Sequence, residues 1–466
     1  MTLALRSSPR LALLSGVALL RLLCCALLAA LASAAAAQGT KPASRVADAV
    51  HLLLPPVGLR ARDVAVVVND ADPASVEVGR YYARRRGIAA ARVIHVSFPA
   101  GKAVMAFADW ERVQAVLDAK VGPDVQAYAL AWTLPFRVEC MSVTAAFAFG
   151  FDPGSYCAEG CRTTKASPYY NSRGNAPFTD HRVRPAMLLA GDNVESVKRL
   201  IDRGVRSDET WPEGHAYLLS TSDHSRNVRA ESYQRARAAL GAAYPIERVD
   251  GDALEGKPDV MFAFTGVARL SGIPSNSYLD GALADNLTSF GGYLIGTDQT
   301  NALEWLAAGA TGSYGTVVEP CNFRGKFPDP PVVMAHYLSG ETLIEAYWKS
   351  VLMPGQGLFI GEPLARPFGG TRVVRSSAGT VVLTRALLPG NYFVESSASA
   401  IGPFKPIGAL RATGFAVREI RLPAGETRFV RLRRAPDAPA RAASAESAGS
   451  AAEASASDDA PQQPRP

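Results

Sequence analysis

The stretch Asp63–Gly87, DVAVVVNDADPASVEVGRYYARRRG, decides the fold class. Its first seven residues are a near-continuous β-branched run, the pattern of a strand buried on both faces. A helix follows at once. Asp72 has the side chain to cap it, Pro73 fits the first helical position, and Gly87 stands just past the last turn. A buried strand feeding a capped helix is one βα unit, and repeated units of this kind build a mainly parallel sheet.

The unit does repeat. Residues 91–98 (ARVIHVSF) predict a second strand, 107–122 a helix and 125–132 (VQAYALAW) a third strand. Further on, 184–191 reads as a strand, NVESVKRLIDRGV as a helix, 216–223 as a strand and SRNVRAESYQRARAALGAA as a helix. Strands are also expected at 259–266, 287–292 (LTSFGG) and 311–318 (TGSYGTVV), and helices at 301–310 and 339–351. With GLFIGEPLARPF closing it, the α/β domain is expected to cover 61–370, after a lead-in at 38–60. An insertion at 133–183, rich in Gly, Pro, Tyr and Asn, carries three cysteines and reads as an irregular segment stapled by disulfides. Residues 371–434 change to short alternating runs broken by the turn signals LPGNY and LPAGE, which predict a small antiparallel β-sandwich. The tail, 435–466, is dominated by Ala, Ser, Pro and acidic residues without an aromatic, and is expected to be disordered.

The first 37 residues read as a signal peptide: Arg6 and Arg10, an apolar run interrupted by Arg21, and the small residues Ala35 and Ala37 before Gln38. No later segment is long and apolar enough to cross a membrane. Cleavage removes three arginines and no acid, so 49 basic residues become 46 against 43 acidic ones and the formal charge falls from +6 to +3. So small an excess, with no basic cluster interleaved with aromatics, argues against a nucleic-acid partner. Export to the periplasm, the cell surface or the medium also makes disulfides the default for Cys140, Cys157, Cys161 and Cys321. The C-x3-C of Cys157 and Cys161 has no second Cys/His pair with zinc-ligand spacing, so no metal is expected and no cofactor is implied.

The common catalytic motifs are missing from the sequence. GATGSYG lacks the Gly-Lys-Ser/Thr ending of a phosphate loop, and neither a G-x-S-x-G elbow nor an H-E-x-x-H occurs. What remains are residues at strand ends, where parallel sheets bind ligands. Asn69, Asp72 and Ser75 follow the first strand, either closing the turn and capping the helix or forming a polar binding edge. Thr265, Ser289 and Glu319 hold comparable places later in the chain. Cys321 is either half of a disulfide, a buried thiol or a nucleophile; as a nucleophile it needs a base, for which His224 is best placed. In the disulfide reading, Cys140 reaches Cys321 across the sheet edge and leaves Cys157 and Cys161 to pair with each other.

VVVNDADPASVEVGRYYARRRGI, LTSFGG, WLAAGATGSYGTVVEP and GLFIGEPLARPF together resemble an uncharacterised family of exported bacterial proteins over about residues 50–368. A more distant likeness is to gingipain-type, caspase-like cysteine peptidases. This second resemblance implies a three-layer caspase-like architecture in which FAFTGVARLSG occupies the strand ending in the general base and ALADNLTSFGG the strand ending in the nucleophile. Gly266 and Val267 then stand where the histidine belongs, and Ser289 or its neighbours where the cysteine belongs. The expectation is a pseudo-peptidase that binds a peptide, polypeptide or surface polymer along the sheet edge. The alternatives are a divergent cysteine hydrolase using Cys321 with His224, or a structural cell-surface protein.

Overall fold

The computed structural model describes residues 51–435 except 56, 159–160, 377–378 and 423–428. The expected signal peptide, the lead-in up to residue 50 and the tail from residue 436 lie outside the described residues. The strands begin with β1 (His51–Leu53), β2 (Val64–Asn69), β3 (Val93–Val96), β4 (Val104–Met105), β5 (Ala127–Leu130), β6 (Arg137–Val138) and β7 (Met141–Ser142). Then come β8 (Ala186–Leu188), β9 (His215–Ser220), β10 (Ile246–Asp250), β11 (Val260–Thr265), β12 (Tyr278–Asn286), β13 (Gly312–Thr316) and β14 (Gly357–Gly361). The last six are β15 (Thr371–Ser376), β16 (Gly379–Thr384), β17 (Gly390–Ser397), β18 (Lys405–Ala412), β19 (Arg418–Leu422) and β20 (Phe429–Arg434). The α-helices are α1 (Pro73–Arg86), α2 (Phe107–Lys120), α3 (Val143–Phe149), α4 (Pro153–Tyr156) and α5 (Pro177–His181). They continue with α6 (Val194–Ser207), α7 (Tyr233–Leu240), α8 (Ala302–Ala308), α9 (Pro330–Leu338) and α10 (Leu343–Ser350).

Ten strands form the central, mostly parallel sheet in the order β10-β9-β11-β12-β13-β14-β8-β5-β2-β3. The opening stretch shows why helices cover both faces. Every residue of β2 is buried. Its alternation sends Val64, Val66 and Val68 to one side, against Val78 and Tyr82 of α1 and Val197 and Ile201 of α6. Ala65 and Val67 point to the other side, against Trp110, Val113 and Leu117 of α2. The helix ends are as expected: Asp72 accepts from the Ala74 N–H, and Gly87 closes α1 at φ +65°. β14 runs antiparallel to β13 over five residue pairs and meets β8 at a single bridge, Ile360 opposite Leu188.

Three expectations need correction. LTSFGG is not a strand: β12 comes before it, and the loop that follows crosses β13 so closely that a Cβ on Gly315 would lie 2.1 Å from the Gly291 carbonyl carbon. The glycines of LTSFGG and GATGSYG are thus the two sides of one backbone contact, which their β-like spacing concealed. The insertion at 133–183 is not merely a stapled loop either. It holds the β6–β7 hairpin and α3, whose residues Val143 to Phe147 are buried in the same cluster as Leu188 and Ile360. Finally, the lead-in does not precede the α/β unit as a separate segment throughout. β1 pairs in parallel with β20 and completes a four-stranded sheet, β1-β20-β17-β18. This sheet and a three-stranded antiparallel one, β15-β16-β19, share a cluster that includes Val382, Tyr392, Ile420 and Val430. Among the described residues no helix is long and apolar enough to cross a membrane.

Candidate functional site

Two clefts open where parallel strands end. The first, of about 440 Å³, lies beyond β2, β5 and β8 and is lined by Asp72, Ser75, Trp132, Thr133, Gly191 and Asn193, among others. Its polar groups are mostly turned back into the protein. The Asn69 side chain donates to the Phe98 carbonyl at 3.0 Å and accepts from the Phe98 N–H at 3.1 Å, tying the end of β2 to the end of β3. Ser75 Oγ accepts from the Asn69 N–H at 2.8 Å. Thr133 Oγ1 donates to the Gly191 carbonyl at 2.9 Å. Asn193 caps α6 by accepting from the Ser196 N–H at 2.9 Å. Of the residues expected here, Asp72 and Ser75 reach the cleft, whereas Asn69 is buried and does not line it.

The second cleft, of about 420 Å³, lies beyond β12 and β13 beside the segment that follows β9, and its walls include Arg226, Thr288, Ser289, Glu319, Cys321 and Phe327. Ser289 and Glu319 are therefore brought together as expected. Thr265 is not: it is buried, its hydroxyl lacks a hydrogen-bond partner, and its carbonyl accepts from Arg229 at 2.5 Å. The Arg226 guanidinium forms the polar floor, donating to Thr288 Oγ1 at 3.2 Å and to Asp223 at 3.0 Å. Glu319 accepts from the Cys321 N–H at 2.7 Å, holding Cys321 at φ +55° in the turn.

Cys321 carries no thiol. It is bonded to Cys161, and Cys140 is bonded to Cys157. The expected pairing of Cys140 with Cys321 and of Cys157 with Cys161 is therefore wrong. The reason is the β6–β7 hairpin, which places Cys140 at its tip, away from β13 and with its Cα 5.6 Å from that of Cys157. The catalytic reading of Cys321 with His224 falls with it: the sulfur cannot ionise while bonded, and His224 is exposed and does not line the cleft. The position that the peptidase resemblance assigns to the base is held by a structural clamp, whereas Ser289 lines the cleft. Asn286 donates to the Val267 carbonyl at 2.7 Å and accepts from the Val267 N–H at 3.0 Å. Gly266 is required there as well, since a Cβ would sit 2.0 Å from the Arg226 carbonyl oxygen. Among the described residues no group of three or more His, Cys, Asp or Glu is placed to hold a metal ion.

Compared with protein-family models, curated proteins and solved structures, the chain gives no significant match.

Sequence reasoning missed the charged groups behind this cleft. Arg229, buried, donates to Asp285 at 2.5 Å and to the Thr265 and Asp285 carbonyls at 2.5 and 3.0 Å. Burial raises the Asp285 carboxyl from its ordinary range, with Arg229 opposing. Lys326 is also buried, its Nζ without a hydrogen-bond partner and 5.1 Å from the centre of the Phe323 ring. Burial pushes its ammonium down to about 8, with Glu319 pulling the other way. The segment SRNVRAES reads in the sequence only as the start of a helix; it is a 3-10 turn, Asn227–Ser232, ahead of α7. A run of small residues around each arginine (Ser225, Ala230, Ser232) is the one local sign that the segment packs closely.

Proposed function

We propose that this chain is an exported binding protein that holds an extended peptide or surface-polymer segment in the cleft between Arg226, Ser289 and Glu319. The observation that carries this reading is the cleft itself: about 420 Å³ of open space at the ends of β12 and β13, bordered by a guanidinium and a carboxylate. That size lies within the range of small-ligand sites, and the pair of opposite charges suits a backbone-rich ligand carrying both donors and acceptors. On this reading the α/β unit is a caspase-like scaffold whose catalytic positions have become structural, and residues 371–434 form a β-sandwich that spaces it from its attachment. Two disulfides fit an oxidising compartment.

The test is capture of a mixed pool of unstructured heptapeptides by the purified protein, followed by anisotropy titration of the retained sequences. Ser289→Trp, which fills the cleft, is expected to weaken binding at least ten-fold, and His224→Ala to leave it unchanged. Failure to retain any peptide, or retention that Ser289→Trp leaves intact, overturns the reading. Peptide mapping without reductant is expected to recover Cys161 linked to Cys321. A Cys321 that instead alkylates rapidly at neutral pH restores the hydrolase alternative.

A further inference from the structure

Behind Phe327, which borders both spaces, a smaller cavity of about 170 Å³ is lined by Tyr170, Arg229, Ser232, Arg235, Arg324 and Asp329, among others. We infer that this cavity is a site for a tetrahedral oxyanion group, a phosphate or sulfate, distinct from the peptide cleft and independent of it.

Three arginines line it, and two of them, Arg324 and Arg235, have donors to spare. Arginine carries five N–H donors in a fixed fork. Arg324 spends one nitrogen on Glu231 at 2.6 Å, and Glu231 is itself 71% exposed, so the pair is screened and weak. Arg235 reaches Asp329 only at 3.4 Å, through one nitrogen. Arg229 is 3% exposed, and its terminal nitrogens are taken up by Asp285 and by the Thr265, Asp285 and Pro328 carbonyls, so it forms part of the wall and offers no free fork.

Size and geometry narrow the class. The volume falls below the 300–1,000 Å³ typical of sites for whole drug-sized ligands, so it suits a group rather than a molecule. A carboxylate is satisfied by one guanidinium fork, whereas the two forks of Arg235 and Arg324, reaching in from different elements, match oxygens spread in three dimensions. Asp329 is the one opposing charge in the lining. It makes no side-chain cap to α9, so its carboxylate is not needed to start that helix.

Isothermal titration of the purified protein with inorganic phosphate and, separately, with sulfate tests the inference, with chloride and acetate at matched ionic strength as controls. Saturable binding of phosphate or sulfate above both controls is expected, and the stronger of the two identifies the natural group. Arg235→Gln combined with Arg324→Gln, both at the surface, is expected to weaken that binding at least ten-fold. Asp329→Asn is expected to tighten it several-fold, a gain that a merely structural role for Asp329 does not give. Binding no stronger than that of chloride or acetate, or a double variant that binds like the parent, overturns the site. Neither result bears on peptide capture in the neighbouring cleft.

Discussion

At the ends of β2, β5 and β8, polar side chains are turned back into the backbone: Asn69 onto Phe98, Ser75 onto Asn69, Thr133 onto Gly191. At the ends of β12 and β13 the groups that border the cleft are charged, and they too are partly engaged: Arg226 donates to Thr288 and Asp223, and Glu319 accepts from the Cys321 N–H. Asn286 clamps Val267, Gly266 lets the chain at Arg226 approach, and a disulfide holds the turn at Cys321. The two clefts have nearly the same volume, about 440 and 420 Å³. What separates them is charge: the first is bordered by carboxylates alone, Asp72 and Asp192, and the second by a guanidinium and a carboxylate.

The strongest way to break this contrast is to unbalance the charge behind the second cleft. Removing one partner of a buried ion pair costs about 3–5 kcal/mol, because the other charge is left buried and alone. Arg229→Ala or Asp285→Ala is therefore expected to lower unfolding stability by about that much in urea titrations, whereas Arg229→Met with Asp285→Leu loses less than either single change. Equal losses for single and double variants would mean that the pair is open to solvent. The next largest effect is at the backbone crossing. Gly315→Ala drives a methyl into the Gly291 peptide and is expected to cost about 1–3 kcal/mol, in line with other overpacked interiors. It should also displace Ser289, on the same loop, and so weaken peptide capture, while the first cleft is unaffected.

Much of the scaffold was legible in the sequence because burial on both faces of a parallel sheet leaves a direct imprint. DVAVVVN followed by DP and ended by G can hardly be anything but a strand and a capped helix. The second cleft was only partly legible. Glu319 follows a strand as its run suggests, but Ser289 reads as lying inside a strand, LTSFGG, when it lies in the loop after β12, whose residues YLDGALADN contain glycine and acids that look like a loop. Its Asp285 is tolerated only because Arg229, 56 positions earlier, meets it in the core. No local pattern reports such a partner. The cysteine pairing failed for the same reason, since connectivity depends on where a hairpin tip points.

Lys326 offers a pH test confined to the second cleft. In the unfolded chain its amine titrates near 10.4, but in the fold burial holds it down at about 8. Between those values the unfolded state binds more protons, so stability contributed by this residue increases as pH rises from about 8 to about 10. Below 8 both states are protonated and the buried charge is a constant cost. Melting temperatures followed across that range are expected to rise more steeply, or fall less, in the parent than in Lys326→Met. Parallel curves would show that the amine is hydrated in solution.

The smallest effect belongs to the first cleft, and it separates a cap from a ligand contact. Asp72 accepts from the Ala74 N–H at 3.0 Å and starts α1, so Asp72→Ala is expected to cost about 1 kcal/mol. Asp72→Asn preserves the acceptor and is expected to stay within a few tenths of the parent. Both variants should capture peptide as the parent does, because the groups that cap α1 are not those that border the second cleft. If Asp72→Asn keeps its stability but loses capture, the carboxylate is meeting a ligand rather than a helix. The binding edge then moves from β12–β13 to β2–β8, since only a charge used outside the cap distinguishes these two substitutions.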